Sequence, residues 1–243
     1  MRYRNSKQKP RFKYIKMSLF ILLLTAIGVL TNIKLKKEDL IEPATSEIQV
    51  FARSIEEEKQ KLIVIDAGHG DEDPGSSISN VDEKDLNLQI ALKLKSALEE
   101  EGYEVMMTRS DDTYLTLTER AEFANEVEAD LFISIHQNSY IDDSTVSGIE
   151  VYYNESTKTE SDEVLAQFIQ TELVETTGAR DRGIRAYDEL VVTRKTEMPA
   201  CLVELGYMTN KSELSLLQSD AYQYKLVTGM VNGINQFFES SLE

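Results

Sequence analysis

Only two histidines occur in the chain, His69 and His136. Each closely follows a short apolar run, Leu62-Ile63-Val64-Ile65 in one case and Leu131-Phe132-Ile133-Ser134-Ile135 in the other. A closed structural zinc site needs four Cys or His ligands, which two His and the single Cys201 cannot supply. A catalytic zinc site needs three protein ligands and keeps a position for water, and two His with one carboxylate form such a set. The chemistry this implies is metal-assisted hydrolysis. Spacing leaves the carboxylate open, because the stretch after His69 offers Asp71, Glu72, Asp73, Asp82, Glu83 and Asp85. Most of these read as solvated loop charges, with a helix cap expected near Asp82. Glu204 follows a third apolar run, Ala200-Cys201-Leu202-Val203, where a stray charge is costly to bury. Cys201, in the same run, reads as a buried strand cysteine rather than a nucleophile.

The elements that must position these residues follow from hydrophobic periodicity. A strand over 62–66 leads into a helix over 83–101, whose apolar Leu86, Ile90, Leu94 and Leu98 recur every four residues and so share one face. Further strands are predicted at 104–108, 131–136, 149–153, 189–193 and 200–205, and helices at 116–129, 162–175 and about 212–238. Strands alternating with helices of this length indicate an α/β fold with a mostly parallel sheet flanked by helices on both faces. In such sheets ligand sites gather at the carboxyl ends of strands. That rule brings His69, His136 and Glu204 towards one place.

Charge divides the chain. Nine of the 26 Lys and Arg lie in residues 1–36, and all 43 Asp and Glu lie beyond them. The remainder therefore holds 17 basic residues against 43 acidic ones. A surface so acidic repels phosphates and sets nucleic-acid partners aside. Residues 17–33 form the one strongly apolar, charge-free run, about 25 Å long as a helix and near the lower limit for crossing a bilayer. Seven basic residues precede it, from Arg2 to Lys16, so the N-terminus is expected in the cytoplasm and the rest outside it. A cleaved signal peptide, with secretion, would need a small-x-small site after the run, and residues 31–37 offer none that is convincing. The expected organisation is a basic cytoplasmic segment 1–16, one transmembrane anchor 17–33, a polar linker 34–60 and a catalytic domain 61–240. A single Cys allows no internal disulfide, so stability must come from the core or a metal.

Four segments then carry a family likeness: Ile65-Asp66-Ala67-Gly68-His69-Gly70 with Asp73-Pro74-Gly75, Glu83-Lys84-Asp85-Leu86-Asn87-Leu88, Ser134-Ile135-His136-Gln137-Asn138-Ser139, and Leu202-Val203-Glu204-Leu205-Gly206-Tyr207-Met208-Thr209-Asn210. Thr108-Arg109, the 117–125 stretch with Arg120, Arg182-Gly183 and Met198-Pro199-Ala200 agree more weakly. Together these make the chain resemble the zinc-dependent N-acetylmuramoyl-L-alanine amidases of the Amidase_3 type, over roughly 61–238. The resemblance implies one Zn2+ per domain held by His69, Glu83 and His136, with Glu204 as the catalytic carboxylate. It makes Asn138 and Arg182 candidate substrate contacts, and peptidoglycan the substrate. Asp71 departs from the family pattern, which commonly has a second glycine there. The short stretches between His136 and residue 149 and after Tyr153 leave no room for the inhibitory helix that some relatives insert.

Two other readings use the same residues. One is a membrane-anchored, catalytically inactive peptidoglycan-binding scaffold or activator, which would be expected to have lost Glu204 or a ligand; all four are present. The other is a different zinc hydrolase cutting within the stem peptide, against which the 202–210 segment weighs. No wall-binding repeat is visible, and the sequence names no protein partner.

Overall fold

The computed structural model describes residues 60–155 and 161–240. The expected basic segment, the anchor and all but the last residue of the linker lie outside them. Among the described residues no helix is long and apolar enough to cross a membrane.

Strand β1 (Leu62–Ala67) is buried throughout, as a continuous apolar run covered on both sides must be. It lies in a six-stranded sheet with β4 (Glu104–Met107), β5 (Leu131–Asn138), β6 (Ile149–Tyr153), β7 (Asp181–Ala186) and β8 (Ala200–Tyr207). The spatial order is β4-β1-β5-β8-β6-β7. Strands β4, β1, β5 and β8 pair in parallel, whereas β6 runs antiparallel to β8 and parallel to β7. The mostly parallel sheet expected from the sequence is therefore present, with its last two strands reversed.

Alternation along the strands sends side chains to two different cores. Ile63, Ile65, Ile133, Ile135, Val151, Cys201 and Val203 belong to the larger one. The helices facing it are α1 (Glu83–Glu101), α3 (Ser161–Thr177), α5 (Lys211–Leu217) and α6 (Asp220–Ser240). Leu86, Ile90, Leu94 and Leu98 of α1 are all buried there, as their period requires. On α6, a Cβ added to Gly229 or Gly233 would approach the backbone of Leu173 or Ile169 to 2.9 or 2.8 Å, so these glycines let α3 and α6 pack closely. The opposite face holds a smaller core of Leu62, Val64, Phe132, Ala200 and Leu202. The short helices α2 (Leu117–Glu126) and α4 (Val191–Lys195) contribute Ala124 and Val192 to it. A capping box of Thr116 and Glu119 starts α2. Helices thus flank both faces, and a two-stranded hairpin of β2 (Ser77–Ile78) and β3 (Val81–Asp82) precedes α1.

Two sequence expectations are corrected. Residues 189–193 form no strand: Val191 and Val192 open α4, and Val192 is buried in the smaller core. The sixth sheet position belongs to β7, an edge strand with only part-buried and exposed residues. Lacking a buried face, it carries no apolar alternation to read. The closing helix is two, broken at Gln218-Ser219, where Ser219 donates its N–H to Leu216 O and accepts from the N–H groups of Tyr222 and Gln223. No helix occurs among the described residues between β5 and β6; residues 156–160, after Tyr153, lie outside them.

Candidate metal centre and active site

His69 stands two residues past β1 with a left-handed backbone, φ 62°. Such a conformation costs a residue with a Cβ about 1 kcal/mol or more and persists only where the surroundings hold it. Two arginines do so from beneath. Arg120, almost fully buried, donates to the carbonyls of Ala67 and His69 at 2.8 Å each and pairs with Asp66 at 2.8 Å. Arg109 donates to Ala67 O at 2.8 Å and Gly68 O at 3.0 Å. Asp66 also accepts from Thr108 at 2.6 Å and Ser134 at 2.7 Å. Burial opposes its charge, but Arg120 and these bonds hold its carboxyl below the ordinary value. The departure at Asp71 fits the turn: it too has positive φ, 48°, and its amide donates to Asp112 at 2.7 Å.

The three expected ligands converge. Donor atoms of His69, Glu83 and His136 all lie within 4.8 Å of one another. Glu83 Oε1 is 3.2 Å from His69 Nε2 and 3.1 Å from His136 Nδ1. The same carboxylate accepts from the amides of Ser76 at 3.0 Å and Gln137 at 3.1 Å, so its position is set from two loops. Burial opposes the ionised form of Glu83, yet the hydrogen bonds and charges of the two imidazoles hold its carboxyl far below the ordinary range. Asp73 Oδ2 lies 2.7 Å from His69 Nδ1. A carboxylate on the far nitrogen of a ligating imidazole fixes its tautomer and orientation, leaving Nε2 towards Glu83. Burial works against the imidazolium of His69, but Glu83 and Asp73 outweigh it and raise the His69 pKa.

Two glycines make the convergence possible. A Cβ on Gly68 would sit 2.2 Å from His136 Cε1, and one on Gly75, which has φ 65°, 2.6 Å from Glu83 Oε2. Two imidazoles, one carboxylate and a carboxylate behind one imidazole make a donor set that fits a catalytic zinc.

Glu204 is the register partner of His136 on one side and of Glu150 on the other. Paired residues point to the same face, so the three side chains form a row across β5, β8 and β6. As a residue Glu204 is part-exposed, but its Oε2 is buried with no hydrogen-bond partner among the described residues. Burial, then the charges of Glu83 and Glu150, push its carboxyl well above the usual range. A titratable group with that environment beside the three-donor cluster is suited to moving a proton.

Sequence reasoning missed Glu150, which is 1% exposed. The available signal was a charge alternating with Ile149 and Val151, which places it on the opposite face of the strand. Both expected substrate contacts are tied to it. Asn138 Nδ2 donates to Glu150 Oε1 at 3.0 Å, and Arg182 Nε lies 3.2 Å from the same oxygen. Tyr207 donates its hydroxyl there too, and the Arg182 guanidinium sits 5.0 Å from the Tyr207 ring centroid. A cavity of about 640 Å³ opens beside Glu204 and is lined by Asn138, Tyr152, Arg185 and Tyr187 among others; Arg182 is not in its wall. Asp82, where a cap was expected, holds the N-cap position of α1, but its side chain makes no cap bond and accepts from Ser77 Oγ at 2.5 Å. Cys201 is buried, and burial pushes its thiol well up, away from nucleophilic use.

The sequence profile of the N-acetylmuramoyl-L-alanine amidase family, Amidase_3, matches residues 63–236. The uncharacterized protein YqiI of Bacillus subtilis (strain 168) is 40% identical over 188 residues, covering 77% of this chain and 90% of YqiI. The N-acetylmuramoyl-L-alanine amidase LytC of the same strain is 36% identical over 178 residues, 73% of this chain, and the match spans only 36% of LytC. Among solved structures, the N-acetylmuramoyl-L-alanine amidase from Clostridium difficile 630 superposes with a TM-score of 0.72 at 39% identity, covering 74% of this chain and 98% of that one.

Proposed function

The chain belongs to the N-acetylmuramoyl-L-alanine amidase family, and from that premise we propose that it is a zinc-dependent enzyme hydrolysing the amide bond between N-acetylmuramic acid and L-alanine in peptidoglycan. The observation that carries this reading is the rung on which His136, a member of the three-donor cluster, faces Glu204. The bond itself comes from the family, since a His-Glu-His site serves peptidases and deacetylases equally well.

His69, Glu83 and His136 would hold one Zn2+, which when bound supplies Lewis acidity and lowers the pKa of water towards about 7. Asp73 keeps His69 oriented, while Ser76 and Gln137 keep Glu83 in place. Glu204 takes a proton from the attacking water and delivers it to the leaving nitrogen of L-alanine, which departs as a free amine. Asn138, in the cavity wall beside Glu204, is placed to meet substrate. Arg182 serves from behind, holding Glu150. An inactive scaffold would have no need of a carboxylate with a buried, unpartnered oxygen beside a complete donor set.

Residues 17–33 and their basic flank support a single-pass anchor, with residues 34–60 as tether and the catalytic domain facing the wall. Resistance of the protein to alkaline carbonate extraction is the expected result; its release would remove the anchor. The chemistry is tested by labelling new amino termini after digestion of purified peptidoglycan. Alanine as the sole new terminus, with no new reducing sugar ends, supports the amidase; any other terminus removes it.

A further inference from the structure

The wall of the cavity beside Glu204 contains one cation whose role nothing above explains. Arg185 stands in register with Tyr152 on neighbouring strands, and both line the cavity with Glu204 and Asn138. Its Nε lies 2.8 Å from Glu150 Oε2, while its side chain remains 50% exposed. That is its one ion pair among the described residues, and it is made through Nε, so the two Nη groups remain for a ligand. Arg182 differs. Its side chain is 19% exposed, its Nε is on Glu150, and its Cζ lies 5.0 Å from the Tyr207 ring centroid.

Charge and rigidity both favour an anion at this point. Two guanidiniums, Arg182 and Arg185, face the single carboxylate of Glu150, which can neutralise only one of them. Glu150 is itself held by Asn138, Arg182 and Tyr207. A guanidinium drawn to a fixed carboxylate by charge, without a hydrogen bond to it, is partly ordered before it binds, and its Nη fork matches a carboxylate. Cavities of this size enclose a small ligand, and one residue of extended chain spans about 3.5 Å. Glu204 pairs with Glu150, Arg185 sits on Glu150, and both Glu204 and Arg185 line the one cavity, so a substrate with its scissile amide at Glu204 has Arg185 in the same cavity wall.

Resting on the amidase reading, we propose that Arg185 is a specificity-determining residue that binds a free carboxylate of the stem peptide close to the scissile bond, and so distinguishes it from the carboxamide.

The test uses the full-length, zinc-loaded protein and two synthetic muramoyl peptides that differ only in carrying a carboxylate or a carboxamide on the residue after L-alanine. For the wild type, kcat/KM is expected to favour the carboxylate by about tenfold, the size of one hydrogen bond to a charged group. In Arg185→Ala that ratio collapses towards one, chiefly through KM on the carboxylate substrate, and Arg185→Lys restores part of it. Zinc content and melting temperature are measured alongside; should Arg185→Ala fail to fold, the ratio is read from Arg185→Gln and Arg185→Lys. A wild type without preference, or a ratio that survives in every variant, overturns the assignment while leaving the amidase standing. Cleavage of neither peptide by the wild type overturns both.

Discussion

His136 and Glu204 face each other across adjacent parallel strands, β5 and β8, so a metal-ligand candidate and a buried carboxylate share one rung of the sheet. The relationship is enforced by the cores. Phe132 and Ala200, four residues before each, are also partners and lie in the same small cluster. A slip of one residue in either strand would turn that strand's side chain to the other face and separate the two.

Replacing Glu204 separates its two roles. Glu204→Gln is expected to lower turnover by about 10² to 10⁴, the range for losing a general acid–base group, with zinc content unchanged. The carboxyl pKa is raised in the fold. Its ionisation therefore costs nothing below the ordinary value of 4.5 and burdens the folded state progressively as pH rises through the raised value. The metal-free Gln variant should consequently melt a few degrees above the metal-free wild type at neutral pH, about 1 kcal/mol or more. Calorimetry and a turnover assay read the two effects; lower stability with normal turnover would reverse both assignments.

Asp73 touches His69 at 2.7 Å, and with the proposed zinc bound it would act on the metal through that imidazole. Asp73→Asn is expected to weaken zinc affinity by about 10- to 100-fold, measured by competition with a chromogenic chelator, whereas His69→Ala and His136→Ala should abolish stoichiometric binding. Unchanged affinity in Asp73→Asn would make the 2.7 Å contact incidental.

Asp66 sets an acid limit. Its folded pKa lies below the ordinary 3.8, so the stabilisation it gives is complete above that value and is lost as pH falls through the depressed one. Melting temperatures taken from about pH 6 to about pH 3 should fall more steeply for the wild type than for Asp66→Asn. The variant, which leaves Arg120 buried without its partner, should start about 3 to 5 kcal/mol less stable at neutral pH. Parallel slopes would contradict this.

What the sequence made legible follows from where the free energy lies. Strands β1, β5 and β8 and helix α1 bury continuous or periodic apolar faces, and their positions read directly from residues such as Ile63, Ile133, Val203 and Leu94. The edge strand β7 buries too little to leave a pattern, and the β-branched pair Val191-Val192 imitates a strand while capping a core as a helix. At the site, two histidines after two strands point to a candidate metal centre, yet local spacing could not choose among six acids. Glu83 is selected in space by contacts with His69, His136 and the Gln137 amide, and the likeness to a family supplied what spacing lacked. Asp73 was counted among those acids without a role, and Glu150 escaped notice because it acts across the sheet, on partners 12 and 32 residues away.

The most direct test is mass spectrometry of the soluble products released when the purified protein digests peptidoglycan, once with zinc and once with a chelator. The expected result is stem peptides with a free L-alanine amine and intact glycan strands, lost on chelation and restored by added zinc. Peptides cut at any other bond, or release that persists without the metal, would contradict the assignment of His69, Glu83, His136 and Glu204.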